Sequence, residues 1–446
     1  MKSVQTAPTH VRYLVLATLF LVSTFSYGDR VGLSITGISF AKDLHLTPLQ
    51  LGYLFSGFSW AYVVAQLPAG WMLDRFGTKR VYGVSILLWS VLAAAAGFAG
   101  YLKGAVAFSV IFGIRLLSGL AQSPVFPGNG RVVAAWFPST QRGTASAIFN
   151  SSQYFALVVF SPLLGWMSHA YGWKECFWFL GALGVVLTLL WVRTIDDVKS
   201  HRAINAAEVE TIEGGGGLCV IGAATRETGV KITWKAVGRL LSTRMLVGIY
   251  LGQYCITTLT WFFLTWFPLY LAQARHLSIG KVGLAAALPA LFGSIGGILG
   301  GLVSDKLLKS GRSLSFSRKA PIVAGMALAT TMMLCNVVDT QWGIMVLMSV
   351  AFFGKGFGAL GWTVISDTSP KGMVGLNGGM FNLCGNIAGI TTPIVIGYIV
   401  QRTGSFRYAL IYVGLTALLA IASYLLVTGP IRRLTPEEMG AAPAVL

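Results

Sequence analysis

The sequence predicts an all-α polytopic membrane protein, with twelve transmembrane helices in two pseudo-symmetric six-helix bundles. Three observations carry this reading. Of 446 residues, 55% are hydrophobic and 11% are charged, against about 25% charged in ordinary soluble domains. The bias runs the whole length of the chain. A hydropathy window of about 19 residues finds twelve apolar stretches, and one long polar stretch divides them six and six.

In chain order the spans fall near 12–38, 49–73, 81–101, 106–130, 141–166 and 174–193, then 243–272, 282–305, 319–338, 343–368, 373–399 and 406–428. The first is read as a retained span, because a signal peptide would precede a soluble domain and here further spans follow. Residues 1–193 form the N-terminal bundle, 194–242 a linker loop, and 243–446 the C-terminal bundle with a short tail. The linker holds Asp196, Asp197, Glu208, Glu210, Glu213, Glu227 and the run Gly214–Gly217. A glycine run can cradle phosphate, but no preceding strand or Walker spacing is present. A flexible inter-bundle linker is the favoured reading. Pro268 in the seventh span predicts a kink.

Lysine and arginine set the orientation. Arg75, Lys79 and Arg80 follow the second span. Lys199, Arg202, Arg226, Lys231, Lys235 and Arg239 lie in the linker, and Lys306, Lys309, Arg312, Arg318 and Lys319 follow the eighth span. The opposite loops are poorer, as in 39–48 with Lys42 alone. Both termini and the linker are therefore expected in the cytoplasm. The same loops account for the net charge of +18, from 33 basic and 15 acidic residues. No soluble basic domain supports nucleic-acid binding. Cys176, Cys219, Cys255, Cys335 and Cys384 are scattered, without metal or redox spacing. No nucleophile–base or metal constellation points to an enzyme, and no cofactor is expected.

The two halves share a feature. "GWMLDRFGTKR" (Gly70–Arg80) follows the second span and "GLVSDKLLKSGR" (Gly301–Arg312) the eighth. Asp74 and Asp305 each stand four residues after a glycine and before a cation, as in parallel six-helix repeats. Gly70 is read as permitting close helix contact. Asp74, Arg75 and Asp305 are read as a breakable charge network for gating.

With these motifs the chain resembles the major facilitator superfamily. "YGDRVGLS", "FSWAYVVAQLPAGW", "RVVAAWFP", "LTWFPLYL", "FFGKGFGALGW" and "GGMFNLCGNIAGITTPIVIGYIV" further resemble the sugar-acid branch of its anion:cation symporters. Within that branch the likeness is to bacterial glucarate and galactarate carriers, with galactonate carriers next. The resemblance implies proton-coupled import of a sugar-acid anion across the bacterial inner membrane, and the expected carrier is a monomer that works by rocking of the bundles around a midplane site. A galacturonate or other hexuronate symporter is one alternative. An uncoupled organic-anion facilitator is another, and a membrane sensor that binds without transport a third.

Few acids reach membrane depth, and by these spans only Asp29 and Asp367 qualify. A carboxylate there costs roughly 3 kcal/mol and escapes by protonation, whereas arginine stays charged. Asp29 is therefore the expected proton carrier and Arg30 a permanent anion attractor. Neighbouring helix residues point about 100° apart, so the two are expected to serve different partners. Tyr27 shares the Arg30 face. Arg115 is the expected partner of Asp29, and a contact that breaks between conformations would couple transport to protonation. The resemblance implies an acid where Gln122 stands. Gln122 cannot release a proton, which leaves one-proton coupling through Asp29, an altered anion charge state or a substituted residue as readings.

For the substrate, Arg30 supplies a planar fork for a carboxylate. By resemblance Tyr27, Arg30, Tyr62, Gln153, Trp362 and Asn382 match pocket-lining positions. Gln253 and Tyr254 are amphipathic candidates for sugar hydroxyls, or interhelical hydrogen bonds. Asn382 and Asn386 share one helix face. Lys355 is either a second carboxylate anchor, suited to a dicarboxylate, or a snorkelling lysine. The aromatics of "WFFLTWFPLY" (Trp261–Tyr270) stack on sugar, form an interface belt or, for most of them, pack.

Overall fold

A computed structural model describes residues 7–221, 234–369, 374–435 and 438. Arg226, Glu227 and Lys231 of the predicted linker lie outside these residues. The chain resolves into two compact units. The first comprises 1–46 and 57–227, and the second 47–56 and 228–446. By length and composition, ten helical segments among the described residues are able to cross a membrane. The helices over 48–76 and 314–336 coincide with the two remaining expected spans.

In the first unit the helices are α1 (Val11–Asp43), α2 (Pro48–Phe76), α3 (Thr78–Phe98) and α4 (Gly104–Gln122). They continue as α5 (Val125–Trp136), α6 (Arg142–Ala170), α7 (Trp173–Thr194) and the short α8 (Ala206–Gly214). The first ten residues of the loop and α2, 47–56, group with the second unit. The expected fourth span is broken. α4 stops at Gln122 and α5 restarts after Pro124, which lacks the N–H that a continuous helix needs there. Close backbone approach joins α2 to α4. A Cβ on Gly119 would collide with the Phe58 carbonyl and lie 3.0 Å from the Tyr62 amide.

Residues 195–221 are not the flexible linker the glycine run predicted. Asn205 caps α8 by accepting the Glu208 N–H at 3.0 Å. Gly216 takes the left-handed φ of +81°, and the Gly217 N–H returns to the Ile212 carbonyl at 2.7 Å. The Leu218 and Cys219 amides then donate to the Ala134 and Ala135 carbonyls at the end of α5. Alternation explains the docking, since Cys219 and Ile221 are buried while Leu218 and Val220 face outward. Glu208, one of the acids of the expected linker, is fully buried. It accepts from the Thr9 hydroxyl at 2.6 Å and from the Val11 and Arg12 amides at 3.1 and 3.2 Å. His10, at the N-cap of α1, contributes no side-chain bond, so α8 caps α1 from across the chain.

The second unit holds α9 (Trp234–Ser242), α10 (Arg244–Trp261), the short α11 (Phe267–Leu269) and α12 (Ile279–Lys309). These are followed by α13 (Leu314–Ala329), α14 (Gln341–Phe357), α15 (Gly361–Thr368), α16 (Val374–Thr403) and α17 (Arg407–Ala422). The kink expected at Pro268 is realised as two π-helical turns, Phe262–Trp266 and Tyr270–Ala274, around α11. Its aromatics are core and not an interface belt. Trp261, Phe262, Phe263, Trp266, Phe267 and Tyr270 are all buried, and Phe263 lies 4.2 Å from Phe352 by ring centre. The expected tenth span breaks at 358–360, so α14 and α15 echo the broken α4 and α5. Gly296 and Gly300 on α12 face the Phe353 and Phe357 carbonyls of α14 too closely for any Cβ.

Candidate functional site

The stretch 26–30 on α1 meets α4 and α2 inside the first unit. On α4, Arg115 and Gln122 are two turns apart and share a face. Arg115 donates to Asp29 Oδ2 at 3.3 Å, and the Gln122 amide donates to the same oxygen at 3.0 Å. The ion pair is desolvated, with side chains 6% and 4% exposed. Gln122 turns its other end the opposite way. Its Oε1 accepts from the Ser26 hydroxyl at 2.8 Å and from Arg30 at 3.4 Å. Asp29 and Arg30 do have different principal partners, as helix geometry requires, but one amide ties both to α4. A carboxylate at this position would face Asp29 with like charge, whereas the amide donates to Asp29 and accepts from Arg30 and Ser26 at once.

Arg30 is held by rings. Its Cζ lies 4.2 Å from the Phe58 ring centre, 4.9 Å from that of Tyr27 and 5.6 Å from that of Tyr62. Phe58 and Tyr62 are one turn apart on α2 and stacked at 5.3 Å. Arg115 shares the Phe58 ring at 5.4 Å. Arg30 Nε is buried and without a hydrogen-bond partner among the described residues. With Asp29 ionised, the two arginines leave the cluster one positive charge in excess, which suits an anion. A narrow recess opens beside it, lined by Ser23, Tyr27, Arg30, Tyr62, Asn129 and Asn150. Gln153, half-buried on α6, donates to the Asn150 carbonyl at 3.2 Å.

The remaining substrate candidates lie in the second unit. Gln253 on α10 donates to Thr257 at 3.2 Å and sits against Gly361 and Gly385. Trp362, 42% exposed, meets Phe381 edge-on at 5.2 Å. Asn386 donates to the Asn382 carbonyl and side chain at 2.8 and 3.2 Å, so the pair shares a face as expected. Tyr254 hydrogen-bonds Thr391 at 2.8 Å. Lys355 is not a snorkelling residue, being 4% exposed with its ammonium 5.3 Å from the Phe352 ring centre.

Both repeat aspartates form ion pairs. Asp74 pairs with Arg131 on α5. Arg75 does not join them and lies over the Trp71 and Phe76 rings at 5.2 and 5.6 Å. Asp305 pairs with Arg318 at 3.1 Å, and Arg318 also binds Asp367 at 2.7 Å and the Ser304 hydroxyl at 2.8 Å. Asp367 thus belongs to this charge cluster. Gly70 permits no close contact, because a Cβ there meets nothing within 4 Å.

Sequence reasoning missed Ser26, Phe58 and Asn129. Asn129 donates to the Ser23 hydroxyl at 2.8 Å and accepts from Tyr82 at 3.0 Å. Its signal was the spacing of seven from Gln122, which holds one face through the break at Pro124. In the second unit, a buried chain of Tyr250, Asn377 and Ser369 was likewise missed, with links of 2.6 and 2.8 Å.

A family model described as the Major Facilitator Superfamily matches residues 19–393. The chain belongs to the Major Facilitator Superfamily. It is 54% identical over 435 residues to a Bacillus subtilis protein named "Probable galactarate/D-glucarate transporter GudP", covering 98% of this chain and 96% of that one. It is 36% identical to an Escherichia coli "D-galactonate transporter", covering 96% and 97%. A solved bacterial homologue of the lysosomal transporter Spinster aligns with a TM-score of 0.73 at 14% identity, covering 94% and 97%, and this likeness concerns the fold. This Major Facilitator chain is therefore a multi-pass membrane transporter and not an enzyme.

Proposed function

We propose that this transporter imports a sugar-acid anion of the galactarate/D-glucarate class by proton symport with alternating access. Asp29 carries the proton, Arg30 anchors a carboxylate, and Arg115 and Gln122 tune Asp29. The observation that carries this reading is the buried pairing of Asp29 with Arg115 and Gln122, beside an Arg30 whose Nε has no hydrogen-bond partner among the described residues. In this reading a contact between Asp29 and Arg115 that breaks between conformations couples proton binding to transport. The 54% identity to a named galactarate/D-glucarate transporter supports the substrate class.

In this reading Tyr27, Tyr62, Gln153, Gln253, Trp362 and Asn382 serve the substrate hydroxyls, and Lys355 takes the second carboxylate. Asp74, Arg75 and Asp305 with their partners form the gating network. Both termini and the linker lie in the cytoplasm of an inner-membrane monomer. Gln122 favours one proton site over two. It also supports a second reading, an uncoupled facilitator.

Uptake into proteoliposomes under an imposed pH gradient, with galactarate, glucarate, galactonate and galacturonate in parallel, tests both readings. Symport requires accumulation above equilibrium that collapses with the gradient. Equilibration indifferent to the gradient would establish the facilitator, and binding without entry would make the chain a sensor. Asp29→Asn should abolish accumulation while leaving binding. A variant that still concentrates substrate removes Asp29 as the proton carrier.

A further inference from the structure

At the end of α12 opposite Asp305, about 39 Å away by helical rise, the second unit has a groove of different chemistry. Its walls are apolar, with Leu277, Leu284, Leu288 and Trp342 among them, and Arg275 and Lys281 stand in its lining without an acidic residue. Leu284 and Trp342 are 66% and 81% exposed, so the groove opens outward from its own unit. Arg275 is fixed in place by donating to the Tyr270 hydroxyl at 3.0 Å and to the Cys335 carbonyl at 2.6 Å.

Two helices begin here. α12 starts after Ser278 and α14 after Thr340, and neither N-cap side chain bonds its helix. The unsatisfied amides and dipole of the α12 first turn add positive potential to that of the two cations, whereas Asp339, one residue before the α14 N-cap, offsets the dipole of α14. A Cβ on Gly280 would meet nothing within 4 Å, so the approach to the α12 amides is open. Cations beside an apolar trough, on two helices long and apolar enough to cross a membrane, match one chemistry above others, a phosphate attached to acyl chains.

We propose that this groove binds an anionic phospholipid, with its phosphate between Arg275, Lys281 and the α12 N-terminus and an acyl chain along Leu284, Leu288 and Trp342. A free phosphate or other soluble anion would use the cations but leave the apolar wall uncovered.

Trp342 itself reports the occupant. The full chain is reconstituted in phosphatidylcholine with increasing brominated phosphatidylglycerol or brominated phosphatidylcholine. The fluorescence lost in Trp342→Phe defines the contribution of Trp342. That contribution should be half-quenched at about a five-fold lower mole fraction of the anionic lipid, the preference one cation near a membrane surface confers. Lys281→Gln, at an exposed position, should bring the two lipids within two-fold of each other. Equal quenching by both lipids in the wild-type chain overturns the proposal. So does a preference that survives Lys281→Gln, or one abolished by millimolar inorganic phosphate.

Discussion

Gln122 does what neither an acid nor an apolar residue does at its position. Its nitrogen donates to Asp29 at 3.0 Å while its oxygen accepts from Ser26 at 2.8 Å and Arg30 at 3.4 Å. Gln122→Leu leaves the Arg30 and Ser26 donors short of an acceptor in a buried setting, a cost of roughly 1–3 kcal/mol. The expected result is a KM for the sugar acid raised about ten-fold, read from initial uptake rates. Gln122→Glu sets a second carboxyl group beside Asp29, between Arg115 and Arg30, and so adds a second group able to carry a proton. The expected outcome is a higher proton-to-substrate ratio, measured from the pH gradient needed to balance a set substrate gradient.

At the scale of elements, α1 carries Asp29 and Arg30 but lacks a cap of its own, and Glu208 of α8 supplies one. Glu208→Ala removes that cap and the 4.0 Å ion pair with Arg12. Caps and buried hydrogen bonds lost together amount to on the order of 2 kcal/mol. The docked segment should then loosen. Cys219, buried behind it and with a thiol pushed up by that burial, should alkylate several-fold faster, as peptide mapping by mass spectrometry would reveal.

Acid should loosen the same segment by a second route. Burial raises the Asp196 carboxyl, but bonds donated by Lys79 and by the Asp197 amide outweigh it and hold it below the usual carboxylate range. A depressed carboxylate contributes stability above its unfolded value of about 3.9, lost as pH falls through the folded value. Hydrogen exchange over 198–221, corrected for intrinsic rates, should be flat between about pH 5 and 8 and should rise below about pH 4. Faster exchange already at pH 6 would assign the docking to other groups.

Across the whole molecule, the two halves repeat a plan with unequal depth. The Asp74 pair is half-exposed, with side chains 30% and 55% accessible. In the second half Arg318 is 7% exposed and Asp367 25%, while Asp305 is 63% exposed. Exposed ion pairs are worth little, and a buried arginine stripped of its partner costs several kcal/mol. Asp367→Asn should therefore lower the melting temperature in detergent more than Asp305→Asn or Asp74→Asn does. An equal effect of all three would show that burial does not rank them.

Hydropathy and charge along the chain determined the number and order of the spans, the six-and-six division and the pairing of Asp29 with Arg115. These are sums over neighbouring residues, or follow from the scarcity of partners for an acid in an apolar segment. Only the tertiary structure decided that Gln122 links Asp29 to Arg30, that Phe58 lies under both arginines, and that Glu208 caps α1. These contacts join residues far apart in sequence, 93 for Gln122 and Asp29 and 197 for Glu208 and Val11. Periodicity fixes which way a side chain points on its own helix, but not which helix it meets. A polar segment reads as solvated until its alternate residues find a surface to bury against, and that surface exists only once the bundle has formed.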